Sequence, residues 1–229
     1  MAGGGSTITL PVLIFLGLDA NVANGTNRVA ILLQNVVGVS RFRQKGLLPL
    51  KRGLLLAIPA IVGAVIGAQI AVDLDEQTLR RVIGGLMVVM FFVLLVRPKR
   101  WLEGRPELVQ RSIWLQVPIF FAIGIYGGFI QAGVGIFLLA GLVLSAGYDL
   151  VRANAVKVLI ILCFTIFALV VFLLHGQVRW AIGLILALGN MAGAWVAVHT
   201  AAQRGAKFVR LLLIAVVVIS AVVLLSGMA

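Results

Sequence analysis

The chain has 229 residues, of which 62% are hydrophobic and 11% are charged, and its formal net charge is +12. A soluble domain is about 45–50% apolar and about 25% charged, so this composition excludes a soluble protein. The excess of basic residues fits cytoplasmic loops that face anionic lipid, and it does not indicate a nucleic-acid partner in so apolar a chain.

Nine apolar segments follow along the chain. Seven approach the roughly 20 residues that a membrane span needs; they are 22–39, 53–72, 82–96, 113–131, 151–174, 181–200 and 211–226. The other two, 6–18 and 134–146, are shorter and are predicted to be short or re-entrant half-helices. Each follows a glycine cluster, which suits non-helical backbone at membrane depth. The glycines concerned are Gly3, Gly4, Gly5, Gly133 and Gly135.

Residues 3–96 and 133–226 form two copies of one segment at a constant offset of 130. Matched pairs include Gly17 with Gly147, Asp19 with Asp149 and Gly46 with Gly176. A duplicated apolar unit within one short chain is typical of transporters that are built from two structural repeats. The first copy has no equivalent of span 113–131 before it, so we expect either an incomplete first repeat or the loss of a first helix.

Charge counting predicts the orientation. The basic loops 41–52 and 97–112 should be cytoplasmic, and the acidic loop 73–76 and the turn 175–180 should lie outside. Equivalent loops of the two copies thus face opposite sides. The expected fold class is an all-α membrane protein, a polytopic bundle of two inverted-topology repeats with about seven spans and two half-helices. One transmembrane domain would cover 1–229, as repeat one 3–96, cytoplasmic loop 97–112, helix 113–131 and repeat two 133–226.

The first long span carries a polar stripe, made of Asn24, Asn27, Arg28, Gln34 and Asn35. A charged residue within a span costs about 2.5–3.5 kcal/mol. Two cations occupy near-equivalent positions, because Lys157 is the repeat equivalent of Asn27 and Arg28 follows Asn27. No span holds an acid, so the pair indicates an anion site, to which half-helix N-termini would add N–H donors. Snorkelling of both cations to headgroups is the alternative. The proposed substrate-binding residues are Asn24, Thr26, Asn27, Arg28, Gln34, Asn35, Gln131, Asn154 and Lys157.

Other chemistry finds little support in the sequence. His175 and His199 fall at helix ends without metal-ligand spacing, and no hydrolase or metalloprotease motif is present. The single cysteine, Cys163, excludes an internal disulfide and a thiolate metal cluster. We therefore expect no catalytic residues, metal or cofactor. Asp19 and Asp149 precede long helices and are predicted to be N-caps.

The chain resembles the TauE/SafE family of sulfite exporters. The resemblance rests on the glycine cluster and apolar run 3–18, on Gly25-Thr26-Asn27, and on the same order from Gly133 through the HGQVRW turn 175–180 to residues 189–194. It implies a multi-pass protein of the cell inner membrane that exports sulfite or an organosulfur anion. Alternating access would occur around a cation-lined midplane site, with protons as the suspected coupling ion. A passive anion channel is the alternative. The partners would be the anion and membrane lipids.

Overall fold

Eight helices and no strand make up the part of the chain that the computed structural model describes, residues 5–95 and 116–192. Gly3, Gly4, the loop 97–112, the span 211–226 and His199 lie outside the described residues. The helices are α1 Gly5–Phe15, α2 Ala20–Gln44, α3 Leu50–Asp73, α4 Glu76–Leu95, α5 Val117–Phe129, α6 Val134–Leu144, α7 Leu150–Leu174 and α8 Trp180–Ala192.

The offset of 130 extends from the sequence to the helix boundaries. Helices α2 and α7 begin and end 130 residues apart, and α3 and α8 begin 130 residues apart. The turns also match, because Gly46 has φ +66° and its equivalent Gly176 has φ +69°. A positive φ suits glycine, which lacks the Cβ that makes this region costly for other residues. The duplicated sequence therefore encodes duplicated local structure.

Contacts between the two copies are reciprocal. A Cβ placed on Gly53 of α3 would lie 2.8 Å from Leu159 Cδ2 and 3.6 Å from Val156 Cγ1 of α7. A Cβ on its equivalent, Gly183 of α8, would lie 2.9 Å from Val29 Cβ and 3.2 Å from the Thr26 carbonyl oxygen of α2. Val29 and Thr26 are the equivalents of Leu159 and Val156. Each copy therefore packs on the other through the same positions.

Glycine allows α3 and α5 to pack with their backbones in contact. A Cβ on Gly128 would overlap the Ala64 carbonyl oxygen, and one on Gly124 would overlap that of Ala60. Gly67 of α3 faces Ile125 in the same way. Small residues at four-residue spacing favour this close approach between apolar helices. The matching order of the contacts shows that α3 and α5 run parallel.

Helices α5 and α6 form an antiparallel hairpin. A Cβ on Gly127 would lie 2.9 Å from Val134 Cγ2 at the turn, and one on Gly141 would lie 3.3 Å from Ile123 Cδ1 lower down. Segment 134–146 is thus a short helix that returns alongside the helix before it. Within the described part of the predicted span 113–131, residues 116–131, helix α5 covers 13 residues.

Large apolar side chains cover the outer surface of the bundle. Ile58 of α3 is 58% exposed and Ile185 of α8 is 71% exposed. Two of the described helices, α3 and α7, are long and apolar enough to cross a membrane. The 25-residue α2 is long enough but carries the polar stripe. It runs antiparallel to α7, because Gly25 faces Phe172 and Gly38 faces Val158.

Candidate functional site

The site is centred on the break between α5 and α6. Residues 130–133 are not helical: Ile130 is extended, and Gly133 is left-handed at φ +73° and ψ −2°. Ile130, Gln131 and Ala132 are all buried. Gln131 Nε2 donates to Thr165 Oγ1 at 2.9 Å. Since Thr165 is near the middle of α7, the break lies at mid-depth in the bundle, surrounded by protein as irregular backbone at depth requires.

Arg28 is fully buried and binds the end of α5. Its Nη1 donates to the Gly127 carbonyl at 3.2 Å, and its Nη2 donates to the Gly128 carbonyl. The last carbonyls of a helix lack partners within that helix and carry its negative dipole end, so a guanidinium suits them. The guanidinium carbon also lies 4.5 Å from the centre of the Phe172 ring. Arg28 therefore fixes the hairpin turn against α2 and α7.

Two asparagines of α2 extend this contact. Asn24 Nδ2 donates to the Phe129 carbonyl at 2.8 Å, which satisfies a third carbonyl at the end of α5. Asn27 Oδ1 accepts a hydrogen bond from Thr9 Oγ1 of α1 at 2.7 Å. Asn24 and Asn27 are both buried. The polar stripe predicted on α2 therefore exists, and it faces α1 and the α5–α6 break.

Lys157 lies away from the break between α5 and α6. Its side chain is buried, and Nζ donates to Asn154 Oδ1 at 2.7 Å, one turn closer to the start of α7. Asn154 Nδ2 in turn donates to the Leu150 carbonyl at 3.1 Å. Helical side chains point back towards the N-terminus of their own helix. In the antiparallel pair α2 and α7, Arg28 and Lys157 therefore point towards opposite ends.

The register of α2 and α7 separates the two cations. The facing pairs Gly25 with Phe172 and Gly38 with Val158 place Arg28 level with Leu169. Lys157 is 12 residues further along, which is about 18 Å at 1.5 Å per residue. The structure therefore does not bring Arg28 and Lys157 around one small anion. It places them on either side of the middle of the bundle.

The remaining predicted site residues lie either between Arg28 and Lys157 in depth or against the α7–α8 turn. Asn35 lies between the two cations and donates to the Ile31 carbonyl of its own helix at 2.8 Å, and Gln34 beside it is half-buried. Thr26 is buried, and its Oγ1 accepts from the Arg179 backbone N–H at 2.9 Å. Thr26 thus contacts the α7–α8 turn, away from the α5–α6 break.

The glycine prediction needs a correction. Gly133 is non-helical as expected, but Gly135 lies inside α6 and Gly5 begins α1. The reason is local, because the Gly133 carbonyl already accepts from the Ile136 N–H at 2.9 Å and so starts the helix. One left-handed glycine is enough to turn the chain.

Two donors at the break have no hydrogen-bond partner among the described residues. They are Arg28 Nε and Asn27 Nδ2. An unsatisfied buried donor costs about 1–3 kcal/mol, so a ligand that accepts hydrogen bonds would be stabilised there. The carbonyl partners of Arg28 do not neutralise its charge, and no carboxylate in the described part of the chain pairs with it. Two acceptors at the break, Asn24 Oδ1 and Gln131 Oε1, also lack a partner among the described residues, so the break offers both donors and acceptors beside a buried cation.

Sequence reasoning missed the partners that shape the site. Side chains of α2 bind the carbonyls of Gly127, Gly128 and Phe129, which lie about 100 residues further along the chain. The ring of Phe172 faces Arg28. The glycine pair in YGGFIQAG was the available signal, because it directly precedes the break. Nothing in the sequence signals the role of Phe172.

The chain belongs to the sulfite exporter TauE/SafE family, whose profile matches residues 1–224. It is 29% identical over 228 residues to "Probable membrane transporter protein ORF9" of Sinorhizobium sp, covering 99% of this chain and 86% of that protein. It is 26% identical over 224 residues to "Probable membrane transporter protein YfcA" of Escherichia coli K12, with 97% and 81% covered. No solved structure matches. The protein is therefore a helical membrane protein of a transporter family.

Proposed function

We propose that this protein is a secondary transporter that exports a small anion, with sulfite or an organosulfonate as the substrate class. The observation that carries the proposal is Arg28, a fully buried cation beside broken backbone at mid-depth, with one N–H donor left over. The family description supports the substrate class, and the names of the relatives support transport. Members of the family are transporters and not enzymes, so we propose no catalytic role.

Alternating access would follow from two inverted repeats in a multi-pass inner-membrane protein. The reciprocal packing of Gly53 and Gly183 supports a pseudo-twofold axis between the copies. The turns at Gly46 and Gly176 lie at opposite ends of α2, since Gly25 faces Gln177 near its start. Equivalent turns on opposite membrane faces are the mark of inversion. The hairpin α5–α6 would then be re-entrant, and one domain would span the chain.

The anion would meet two cationic stations in sequence. One consists of Asn24, Asn27 and Arg28 at the break, and the other of Asn154 and Lys157 about 18 Å away. Asn35 and Gln131 lie between them in depth. Lys157 is the proposed carrier of a coupling proton, because an amine gives up its proton more readily than a guanidinium in a desolvated site.

A passive anion channel is the second candidate. Two cations at different depths along one helix pair also suit conduction, in which ions occupy several weak sites in turn. The two functions differ in kinetics. A transporter shows saturable flux and counterflow, whereas a channel shows conductance that follows the driving force.

Flux in proteoliposomes tests the proposal. Purified protein is reconstituted, and uptake of sulfite, sulfate, thiosulfate and a taurine-like sulfonate is measured with and without a pH gradient. Arg28→Ala and Lys157→Ala should each lower sulfite flux at least tenfold. Arg43→Ala, which removes an exposed cation in the last turn of α2, is the matched control and should leave flux unchanged. Wild-type rates in both buried-cation variants would show that the two cations serve the structure alone and would remove the proposed site.

A further inference from the structure

The two ends of the helix pair α2 and α7 are closed by different chemistry. At one end, the α7–α8 turn (residues 175–179) lies over the start of α2. At the other end, the α2–α3 turn (residues 45–49) lies beside the start of α7. Gly176 and Gly46 give the two turns similar backbone geometry. Any difference between the ends therefore comes from the side chains and not from the shape of the turns.

The α7–α8 turn is held by two hydrogen bonds that cross between the copies, which we call the outer latch. Thr26 Oγ1 accepts from the Arg179 backbone N–H at 2.9 Å, and Gln177 Nε2 donates to the Val72 carbonyl at 3.2 Å. Packing at this point is tight, because a Cβ on Gly25 would overlap the Gln177 carbonyl oxygen. Thr26 is fully buried beneath the turn.

The equivalent positions at the other end cannot form the first of these bonds. The repeat equivalent of Thr26 is Val156, which has no hydroxyl, and that of Arg179 is Pro49, which has no backbone N–H. The equivalent of Gln177 is Leu47, which has no amide. Val156 instead packs against Gly53 through apolar contact. The end at Val156 therefore lacks the two hydrogen bonds of the outer latch, and it carries instead a contact of the Arg52 guanidinium with the Tyr148 ring at 5.8 Å.

A surface cavity leads to the outer latch. Its volume is about 220 Å³, and it lies at the start of α2 and α8. Arg179 belongs to both, because the residue lines the cavity and its backbone N–H binds Thr26. Separation of the α7–α8 turn from Thr26 would therefore extend this cavity towards the face of α2 that Thr26 occupies. The cavity is lined by Gly17, Leu18, Asp19, Val22, Arg179 and Ile182.

We propose that Thr26 is a gating residue, not a substrate ligand, and that the outer latch sets how often the site opens towards the cavity at Gly17–Asp19. The role of the latch in transport rests on the proposed function. The opening of the latch can be measured without transport, as the accessibility of a buried residue to a reagent in water. Two hydrogen bonds are a suitable strength for a gate, since each contributes about 1 kcal/mol and so permits frequent opening. The end at Val156 would open by a separate movement.

Cysteine labelling tests the latch without any transported substrate. Cys163 is the only cysteine of the chain, so Cys163→Ala gives a cysteine-free background. Val29→Cys then places a reporter one turn beyond Thr26 on the side of α2 that faces α8, where the native side chain is buried beside Gly183. A membrane-impermeant, negatively charged methanethiosulfonate reagent is added to the side that the α7–α8 turn faces, and the labelling rate is measured.

Thr26→Val, which copies the residue at 156, should raise the labelling rate about fivefold, the change that about 1 kcal/mol produces. Gln177→Met should raise it to a similar extent and disturbs only a turn. Val156→Thr is the matched control and should leave the rate unchanged, because Pro49 offers no N–H. Equal rates in Thr26→Val, Gln177→Met and the background, at equal amounts of monodisperse protein, would overturn the proposal. Raised labelling without anion flux in the wild type would keep the latch and remove the transport function.

Discussion

Helices α2 and α7 have the same length and equivalent places in the two copies, yet they use their buried cations differently. Arg28 of α2 binds carbonyl groups at the end of another helix, whereas Lys157 of α7 binds an amide one turn away in its own helix. The difference teaches that duplication preserves the backbone and leaves the polar chemistry free to diverge. Arg28 ties α2 to the end of α5, whereas the bond from Lys157 to Asn154 stays within α7.

Removal of Arg28 should have the largest effect. Arg28→Ala leaves two buried carbonyls without donors, so we expect a loss of about 3 kcal/mol or more. For a chain of this size that loss is about 6–12 °C in Tm, measured in detergent by the loss of monodisperse protein on heating. Arg28→Lys should rescue little, because one ammonium cannot reproduce the planar fork between two carbonyls and a ring. Full rescue by lysine would show that charge alone matters at this position.

Lys157→Ala should separate function from stability. The hydrogen bond from Lys157 Nζ to Asn154 Oδ1 stays within α7, and its loss should cost about 1 kcal/mol. We expect at least a tenfold loss of sulfite flux with a Tm within about 4 °C of the wild type. Lys157→Arg should keep anion flux but weaken its dependence on a pH gradient. A Tm loss as large as that of Arg28→Ala would contradict the division of roles between α2 and α7.

Phe172 gives a smaller test of the same comparison. Its ring faces Arg28, and a desolvated cation–π contact contributes about 2 kcal/mol. Phe172→Leu keeps the apolar packing and removes the ring, so Tm should fall by about 4–8 °C. Phe167→Leu is the control, because Phe167 lies on the exposed face of the same helix. Identical losses in the two variants would mean that the ring contributes only through its volume.

The helix caps should give the smallest difference. Asp149 Oδ1 accepts from the Val151 and Arg152 N–H groups at 3.0 Å, whereas Asp19 makes no cap bond to α2. Instead, Glu76 Oε2 accepts from the Ala20 N–H at 2.6 Å. Asp149→Ala should therefore cost about 1 kcal/mol, or about 2–4 °C, and Asp19→Ala less than half of that. Differential scanning fluorimetry of the two variants measures the two Tm values. A larger loss of Tm in Asp19→Ala than in Asp149→Ala would contradict the assignment of Asp149 as the stronger cap.

The sequence predicted local structure well wherever the signal was local or repeated. The offset of 130 gave equivalent helices, and Gly133 correctly marked a break in the backbone. Asp149 caps α7 as predicted; Asp19 occupies the N-cap position of α2 but makes no side-chain cap bond, and Glu76, 56 residues from Ala20, accepts from the first N–H of that helix. A distant acid that competes for a helix end leaves no trace in local sequence.

The geometry of the site needed the fold. Similar positions along α2 and α7 suggested that Arg28 and Lys157 meet, but antiparallel packing places them about 18 Å apart in depth. The carbonyls that bind Arg28 are backbone groups, which every residue carries, so no residue type could identify them. Inference from side-chain pattern found the cations and not their partners.

The bond between Arg28 and the end of α5 joins residues 99 and 100 positions apart, and this span has a consequence for biogenesis. The ribosome releases α2 well before it makes α5, so a nascent α2 must enter the bilayer with its guanidinium still unsatisfied, at a cost of about 2.5–3.5 kcal/mol. Insertion of α2 should then remain incomplete until the second copy has been synthesised and inserted. Truncated nascent chains that stop before Val117 would be the natural clients of membrane quality control.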